Sequence, residues 1–195
     1  MSETNSWEQR YREGRTGWQR ESVSPALLTW LADGTLKPGR IMIPGAGRSH
    51  EPRHLAEAGF DVTTVDIAPT AVAFQREALA ATGGSVIEGD LLSYAPAEPF
   101  DAIYEQSCLC ALPPEIVPAY AAQIARWLRP GGVLLALFVQ RTGEGGPPFN
   151  CPLPAMRQLF PETAWRWPQQ SWPDIRHDSG AFEGLYEVPQ ALTRL

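Results

Sequence analysis

The sequence has few of the features that mark secreted, membrane or nucleic-acid-binding proteins. It contains 3 cysteines among 195 residues, too few for the disulfide framework of a small secreted domain. No apolar run approaches the roughly 18–20 residues that span a bilayer, and the first residues lack the basic and apolar segments of a signal peptide. With 16 basic and 22 acidic residues, the net charge is −6, which argues against nucleic acid as the main partner. We therefore expect a protein of the reducing cytoplasm that binds neither membrane nor nucleic acid.

Apolar residues make up 44% of the chain, enough for a core, and they occur in short runs that alternate with helical segments. Strands are predicted over 40–43, 60–66, 85–88, 100–104 and 133–139, with later strands near Trp165 and over 182–188. Helices are predicted over 25–33, 51–58, 69–81, 113–128 and 153–160. This alternation predicts an α/β fold, a doubly wound and mostly parallel sheet in one domain spanning 1–195. Such sheets bind ligands beyond the carboxyl ends of their strands.

A glycine-containing loop follows the first predicted strand. Gly45 and Gly47 allow a tight turn and let a ligand approach the main chain. His50 stands where a dinucleotide-binding fingerprint has its third small residue, so the loop favours a nucleoside without a pyrophosphate over a nicotinamide dinucleotide. Taken alone, the two glycines favour a plain tight turn over a cofactor loop.

Acidic residues follow the next two predicted strands. Asp66 lies about 20 positions after Gly45, where a carboxylate accepts hydrogen bonds from both ribose hydroxyls of an adenosine group. The alternative is an acid that caps the helix starting at Pro69. Asp90 is placed to bond an adenine amino group and Leu91 to contact the ring, although this segment is also typical of a surface turn.

Aromatic residues are concentrated near the N-terminus, at Trp7, Tyr11 and Trp18. Their faces suit a cationic ligand, since a cation–π contact contributes about 0.5–2 kcal/mol. A plain hydrophobic lid or the edge of a core is the alternative interpretation.

Histidine and cysteine do not form a recognisable catalytic or metal pattern. His50, His54 and His177 are the candidate bases. His50 and His54 have the spacing of metal ligands, but no flanking motif supports zinc, so we predict no metal, and surface or capping roles for all three histidines. Cys108 and Cys110 are interpreted as buried small hydrophobes, with a redox or selenium-handling pair as the alternative. No nucleophile–base arrangement is present, and we name no catalytic residue.

The order of elements resembles the class I S-adenosylmethionine-dependent methyltransferases and, more narrowly, the thiopurine S-methyltransferase family with its bacterial and plant thiol or halide methyltransferases. The N-terminal aromatic segment and the Gly-Pro-Pro-Phe loop are the most specific similarities. The similar segments are residues 7–18, 43–47, 65–67, 100–104, 110–112, 145–149 and 182–186.

The resemblance implies S-adenosylmethionine as cofactor, a seven-stranded sheet with an antiparallel last strand, and residues 1–23 as an N-terminal lid. Cofactor contacts are expected at Trp7, Tyr11, Gly45, Gly47, Asp66, Ile67, Asp90, Leu91 and Gln106. Trp18 is expected on the substrate side. Gln106 stands where many members carry an arginine, so the resemblance does not extend to a preference for an anionic acceptor. Arg48 and Arg141 are candidates to supply the missing positive charge.

The function expected from these features is methyl transfer to a small soft nucleophile, namely a thiol, sulfide, selenide or halide, without a strong general base. Methylation of a nitrogen or oxygen on a natural product is an alternative, as is non-methyl chemistry on the sulfonium. A cofactor-binding module without turnover is the non-enzymatic alternative. The expected partner is a small-molecule acceptor, and the expected assembly is a monomer or weak homodimer.

Overall fold

The computed structural model describes residues 3–177 and 183–195, which build one central sheet with helices on both faces. The helices are α1 (Glu3–Arg12), α2 (Pro25–Ala32), α3 (Glu51–Glu57), α4 (Pro69–Leu79), α5 (Val117–Trp127) and α6 (Leu153–Leu159). The strands are β1 (Arg40–Pro44), β2 (Asp61–Asp66), β3 (Ser85–Glu88), β4 (Phe100–Gln106), β5 (Leu128–Gln140), β6 (Trp165–Arg166), β7 (Ile175–Arg176) and β8 (Tyr186–Arg194).

The sheet has the strand order β3-β2-β1-β4-β5-β8-β6, and β7 pairs with β8 off this path. Strands β1 to β5 are parallel to their neighbours, and β8 runs antiparallel to β5. Strand order reverses between β1 and β4, so the loops after these strands diverge and leave a crevice at the carboxyl ends. The predicted doubly wound α/β fold is confirmed.

The strand count differs from the prediction of seven, because the described residues form eight strands. Two of these, β6 and β7, contain two residues each and pair with opposite ends of β8. Pro168 and Pro173 lie between them and supply no backbone N–H, so one continuous strand is not sustained here. The predicted late strand over 182–188 begins only at Tyr186, and residue 182 lies outside the described residues.

The observed starts of one helix and one strand also differ from the predicted ones. The helix predicted from residue 113 begins at Val117, since residues 113–116 form a turn. The strand predicted from residue 133 includes 128–132, where its register with β4 shifts between Phe100 and Ala102. The predicted Pro-Gly-Gly turn is thus accommodated as an irregularity of β5.

The core lies on both faces of the sheet. Leu27 and Trp30 of α2 pack on one face with Leu55 of α3. Tyr120 and Trp127 of α5 pack on the other. Because both faces are covered, the central strands are buried on both sides, as their continuous apolar sequences predict. The carboxyl ends of the strands remain as the place for a site.

The N-terminal segment is helical, which the sequence analysis did not predict, and it is fixed to the start of α4. The Thr70 backbone N–H and hydroxyl each donate to the Glu8 carboxylate at 2.9 Å. The backbone hydrogen bond from Thr70 is the main cause that lowers the pKa of Glu8. Because α4 has no side-chain cap of its own, Glu8 satisfies one of its free N–H groups and holds α1 beside the crevice. None of the described helices has the length and apolar character that crossing a membrane requires.

Candidate active site

A cavity of about 530 Å³ opens at the carboxyl ends of the parallel strands. Its size falls within the roughly 300–1,000 Å³ of small-molecule sites. All ten predicted site residues border it, namely Trp7, Tyr11, Trp18, Gly45, Gly47, Asp66, Ile67, Asp90, Leu91 and Gln106. The structure therefore brings together residues from six segments of the chain, while the ligand that each one contacts stays a prediction.

The glycine loop after β1 is pressed between two side chains. Gly45 and Gly47 have φ values of +57° and +56°, which disfavour any residue with a Cβ. A Cβ at Gly45 would lie 2.8 Å from the Cys108 Sγ, and one at Gly47 would lie 2.9 Å from the Tyr11 hydroxyl. Both glycines are therefore required for the backbone to pass here, and the cavity wall is main chain at this point.

Asp66 at the end of β2 joins the glycine loop to α4. Its Oδ2 accepts the Gly47 N–H at 2.8 Å and its Oδ1 accepts the Ala68 N–H at 2.9 Å. Burial raises the pKa of Asp66, and these backbone hydrogen bonds oppose the rise. A carboxylate offers about four acceptor positions, so two remain after both backbone bonds. Asp66 thus fixes the turn that leads into α4, and it retains acceptor capacity for further hydrogen bonds.

Asp90 and Leu91 lie in the loop after β3. Asp90 is exposed, and its Oδ1 accepts the Leu92 N–H at 2.9 Å, as in a surface turn. Leu91 is half-buried and packs against the core. Both border the cavity, so the turn interpretation and the proposed adenine contact are compatible.

The three N-terminal aromatic rings form a cluster over the cavity. The Trp18 ring meets Trp7 edge-on at 5.5 Å between centroids and Tyr11 edge-on at 5.7 Å. The Arg10 guanidinium lies 4.9 Å from the centre of the Trp7 ring, which shows that this ring accepts a cation. Burial is the main cause that raises the pKa of Tyr11, so its hydroxyl keeps its proton at neutral pH.

Gln106 is held in a polar network at the end of β4. Its Oε1 accepts the Tyr104 hydroxyl at 2.8 Å, and its Nε2 donates to the Glu187 Oε2 at 3.2 Å. Glu187 is fully buried in β8 and lies 3.2 Å from His177 and 3.7 Å from Arg20. The neutral amide at this position thus bridges a phenol and a buried carboxylate, an arrangement that fixes its orientation.

Of the two arginines expected to supply positive charge, only Arg48 borders the cavity. The Arg141 guanidinium donates instead to the carbonyls of Gly145 at 3.1 Å and Pro148 at 2.7 Å. Arg141 therefore shapes the Gly-Pro-Pro loop, whose Pro147 and Pro148 do line the cavity. That loop was singled out in the sequence, and it reaches the site through its prolines.

Sequence reasoning missed Glu8, Arg20 and Glu187 as residues that build or border the site. Glu8 acts through Thr70, and Arg20 and Glu187 meet across most of the chain. No local motif marks such pairs, because each is created by the folding of distant segments.

The histidines and cysteines occupy structural positions. His50 is exposed at the start of α3. The surface or capping role predicted for His177 is wrong, because its side chain is only 8% exposed and its Nε2 lies 3.2 Å from the Glu187 Oε2. Cys108 and Cys110 are buried, and burial raises the pKa of both thiols, so they remain protonated. These observations favour the small-hydrophobe interpretation over a redox pair. Among residues 3–177 and 183–195, no group of three or more His, Cys, Asp or Glu is placed to hold a metal ion.

The fold has close counterparts among solved methyltransferases. The 1,6-didemethyltoxoflavin-N1-methyltransferase of Burkholderia thailandensis, solved with S-adenosylhomocysteine, superposes with a TM-score of 0.76 and 20% identity over 98% of this chain and 86% of that chain. With its glycine loop and an acid at the crevice, the chain has the fold that class I S-adenosylmethionine-dependent methyltransferases share.

The model of the thiopurine S-methyltransferase family matches residues 2–193, and the chain belongs to this family. It is 31% identical over 157 residues to probable thiol methyltransferase 2 of Arabidopsis thaliana, covering 77% of this chain and 70% of the relative. It is 28% identical over 163 residues to thiocyanate methyltransferase 1 of the same plant, covering 81% and 72%.

Proposed function

We propose that this protein transfers a methyl group from S-adenosylmethionine to a small soft nucleophile, a thiol, sulfide, selenide or halide-like anion. The observation that carries the proposal is the composition of the cavity wall. Among the described residues, no histidine or lysine borders the cavity, and the bordering thiols and phenols have raised pKa values. A soft nucleophile suits such a site, because it needs little help from a base.

Glu105 is the one described carboxyl group whose pKa is raised to about 7, the range of a general base. It does not border the cavity, and its Oε1 accepts the Leu109 N–H at 2.6 Å within the core. Its raised pKa arises mainly from burial. We therefore give Glu105 a structural role. Asp66 borders the cavity and burial raises its pKa, but we assign it to the ribose, so we propose that the acceptor arrives already ionised or loses its proton to water.

The residues present fit the cofactor. Asp66 keeps acceptor positions for the ribose hydroxyls, and Gly45 and Gly47 border the cavity without a side chain of their own. Trp7 and Tyr11 border the cavity, and their aromatic rings suit a sulfonium. The bound cofactor supplies an electrophilic methyl group on a sulfonium.

The chain contributes alignment and exclusion of water. We propose that residues 1–23 form the lid, with α1 fixed by the contact of Glu8 with Thr70. We assign Trp18 to the acceptor side of the cavity, which Pro147 and Pro148 also border. Orientation of this kind supplies roughly 7–11 kcal/mol of a barrier when nucleophile and carbon are held in line.

Two relatives carry names that agree with this substrate class, a thiol methyltransferase and a thiocyanate methyltransferase. The test is a panel of thiols, thiocyanate, iodide, amines and phenols, each incubated with purified protein and S-adenosylmethionine. Formation of S-adenosylhomocysteine and of methylated product is followed by mass spectrometry. Turnover is expected with the soft acceptors and not with the amines or phenols.

The pH dependence separates this mechanism from base catalysis. For thiocyanate, which has no proton to lose, kcat/KM is expected to stay level between about pH 6 and pH 9. For a thiol, kcat/KM should rise with ionisation of the acceptor itself, near its reference pKa of about 8.5. Methylation of nitrogen or oxygen alone, release of methylthioadenosine, or binding without turnover on the whole panel would contradict the proposal.

A further inference from the structure

Helix α4 carries a glutamine on its buried face. The apolar residues of this face are Ala71, Val72 and Leu79. Gln75 lies on the same face, because positions three and four residues apart are neighbours on a helix, and it is only 1% exposed. Packing alone favours an apolar side chain at such a position, and a buried amide is costly unless it forms hydrogen bonds. The partners of Gln75 therefore indicate its role.

The amide group of Gln75 binds the glycine loop from the side of α4. Its Nε2 donates to the Gly47 carbonyl and to the Ser49 carbonyl, each at 3.0 Å. In the part of the chain that the structure describes, neither carbonyl accepts another hydrogen bond. An amide nitrogen has two N–H groups, so both serve the loop, while the Gln75 Oε1 is buried without a partner. Gly47 and Ser49 border the cavity and Gln75 does not, so Gln75 can act on a ligand only through the loop.

The bond to the Gly47 carbonyl fixes the direction of the next peptide plane. The peptide bond between Gly47 and Arg48 is trans, so the Gly47 carbonyl and the Arg48 N–H point in opposite directions. Because the carbonyl is bonded to Gln75, the Arg48 N–H points away from α4, and no described residue accepts it. Arg48 itself borders the cavity. Gln75 thus keeps a backbone donor of the glycine loop available to a ligand.

Gly47 is held at both of its backbone polar groups. Its N–H donates to the Asp66 Oδ2 at 2.8 Å, and its carbonyl accepts from Gln75. The Tyr11 hydroxyl of α1 lies on a third side, 2.9 Å from where a Cβ of Gly47 would be. Without Gln75, the carbonyl is free to turn, and a glycine backbone has more accessible conformations than that of any other residue. The shape of the loop at Gly47 therefore depends on Gln75 as well as on Asp66.

We propose that Gln75 is a positioning residue for cofactor binding, which holds the Gly47 and Ser49 carbonyls toward α4 and so keeps the glycine loop in the shape that receives S-adenosylmethionine. Gln75 acts through the loop and makes no contact with the ligand. This inference rests on the part of the proposed function that places the cofactor against the glycine loop, and it is independent of which acceptor is methylated.

The test compares two replacements of Gln75 by calorimetric titration with S-adenosylhomocysteine, under conditions where circular dichroism shows each protein folded. Gln75→Met removes both donors and keeps an unbranched side chain of similar length. Gln75→Glu keeps the shape, but an ionised carboxylate has no donor and repels the two carbonyls. Gln140→Met is the matched control, because the Gln140 amide also donates to backbone carbonyls, those of Cys151 at 2.7 Å and Phe138 at 3.1 Å, and does not border the cavity.

Gln75→Met is expected to raise the Kd of S-adenosylhomocysteine about fivefold or more, whereas Gln140→Met stays within about twofold of the wild type. Gln75→Glu should bind more weakly still at pH 8. Its Kd relative to the wild type should fall toward pH 6, because burial raises the pKa of a carboxyl group and the protonated form regains one donor. The ratio to the wild type removes the contribution of Asp66, whose pKa burial also raises beside the same loop.

Unchanged affinity in Gln75→Met, an equal loss in Gln140→Met, or a ratio for Gln75→Glu that does not vary with pH would overturn the proposal. Should Gln75→Met fail to fold, the ratio for Gln75→Glu at the two pH values decides. Calorimetry needs no methyl transfer, so an acceptor panel without turnover would contradict the proposed function and leave these ratios unaffected.

Discussion

The sharpest prediction concerns Asp66, which we expect to hold the ribose of the cofactor. Replacement by asparagine keeps the size of the side chain and one acceptor oxygen, but removes the charge. One carboxylate oxygen serves Gly47 and the other serves Ala68, so the amide must place its NH₂ group against one of these backbone donors. The variant therefore loses at least one charge-assisted bond to a ribose hydroxyl.

The expected cost follows from the strength of hydrogen bonds to charged groups, about 1.5–3 kcal/mol. This corresponds to a rise in Kd of about 10- to 150-fold. The measurement is calorimetric titration with S-adenosylhomocysteine, at a temperature where circular dichroism shows both proteins folded. Asp61→Asn is the control, because Asp61 lies at the other end of β2, exposed and paired with Arg40.

A second ligand separates ribose binding from a general disturbance of the loop. S-adenosylhomocysteine without the ribose 2′-hydroxyl should bind the wild type more weakly than the parent ligand. In Asp66→Asn the two ligands should differ much less, because the partner of that hydroxyl is altered. If removal of the 2′-hydroxyl weakens binding by the same factor in the wild type and in Asp66→Asn, the assignment of Asp66 to the ribose is wrong.

Three further changes are expected to have separable effects. Burial raises the pKa of Glu105 to about 7, so the folded state holds its proton, and wild-type stability falls as pH rises from about 4.5 to 7. Glu105→Gln keeps an acceptor for the Leu109 N–H. It should raise the free energy of unfolding, measured by urea titration, by up to about 3 kcal/mol at pH 8 but hardly at pH 4. An equal gain in stability at both pH values would refute this. Glu8→Ala should cost about 0.5–2 kcal/mol and speed hydrogen exchange at the Thr70 amide, and unchanged exchange would show that Glu8 does not cap α4. Trp18→Ala should raise the acceptor KM about tenfold, the scale of a lost aromatic contact, whereas a matching loss of S-adenosylhomocysteine affinity would place Trp18 on the cofactor side.

The parts of the fold that were predicted are those encoded locally. The residues of β1, before Gly45, and of β2, which ends at Asp66, form short apolar segments followed by turn residues. This pattern predicts two strands whose carboxyl ends lie at the same edge of the sheet. Parallel strands then place both ends at one crevice, which is why the predicted site residues converge. The late strands were misjudged because Pro168 and Pro173 divide a region that looks uniform in composition.

The parts that were missed depend on contacts between distant segments. The helical form of residues 3–12 gains support from Glu8 on Thr70, 62 positions away, and the helix by itself has little apolar surface to bury. The meeting of Arg20 with Glu187 requires β8 to fold back against β5, where Glu187 pairs with Val139. Hydrophobic periodicity indicates which face of a helix or strand is buried. It does not indicate which charged residue of a distant segment will pack against that face.

The strands that pair with β8 determine how much of this side of the sheet could add a strand from another chain. β6 covers only Thr193 and Arg194, and β7 covers only Tyr186 and Glu187, so the described strands leave the outer side of 188–192 unpaired. An open stretch of this kind invites strand addition and aggregation. Pro189 sits in its middle and offers no N–H donor, and the opposite border of the sheet is the four-residue β3. Both borders are thus poor templates for edge-to-edge growth, which protects the folded chain at high concentration.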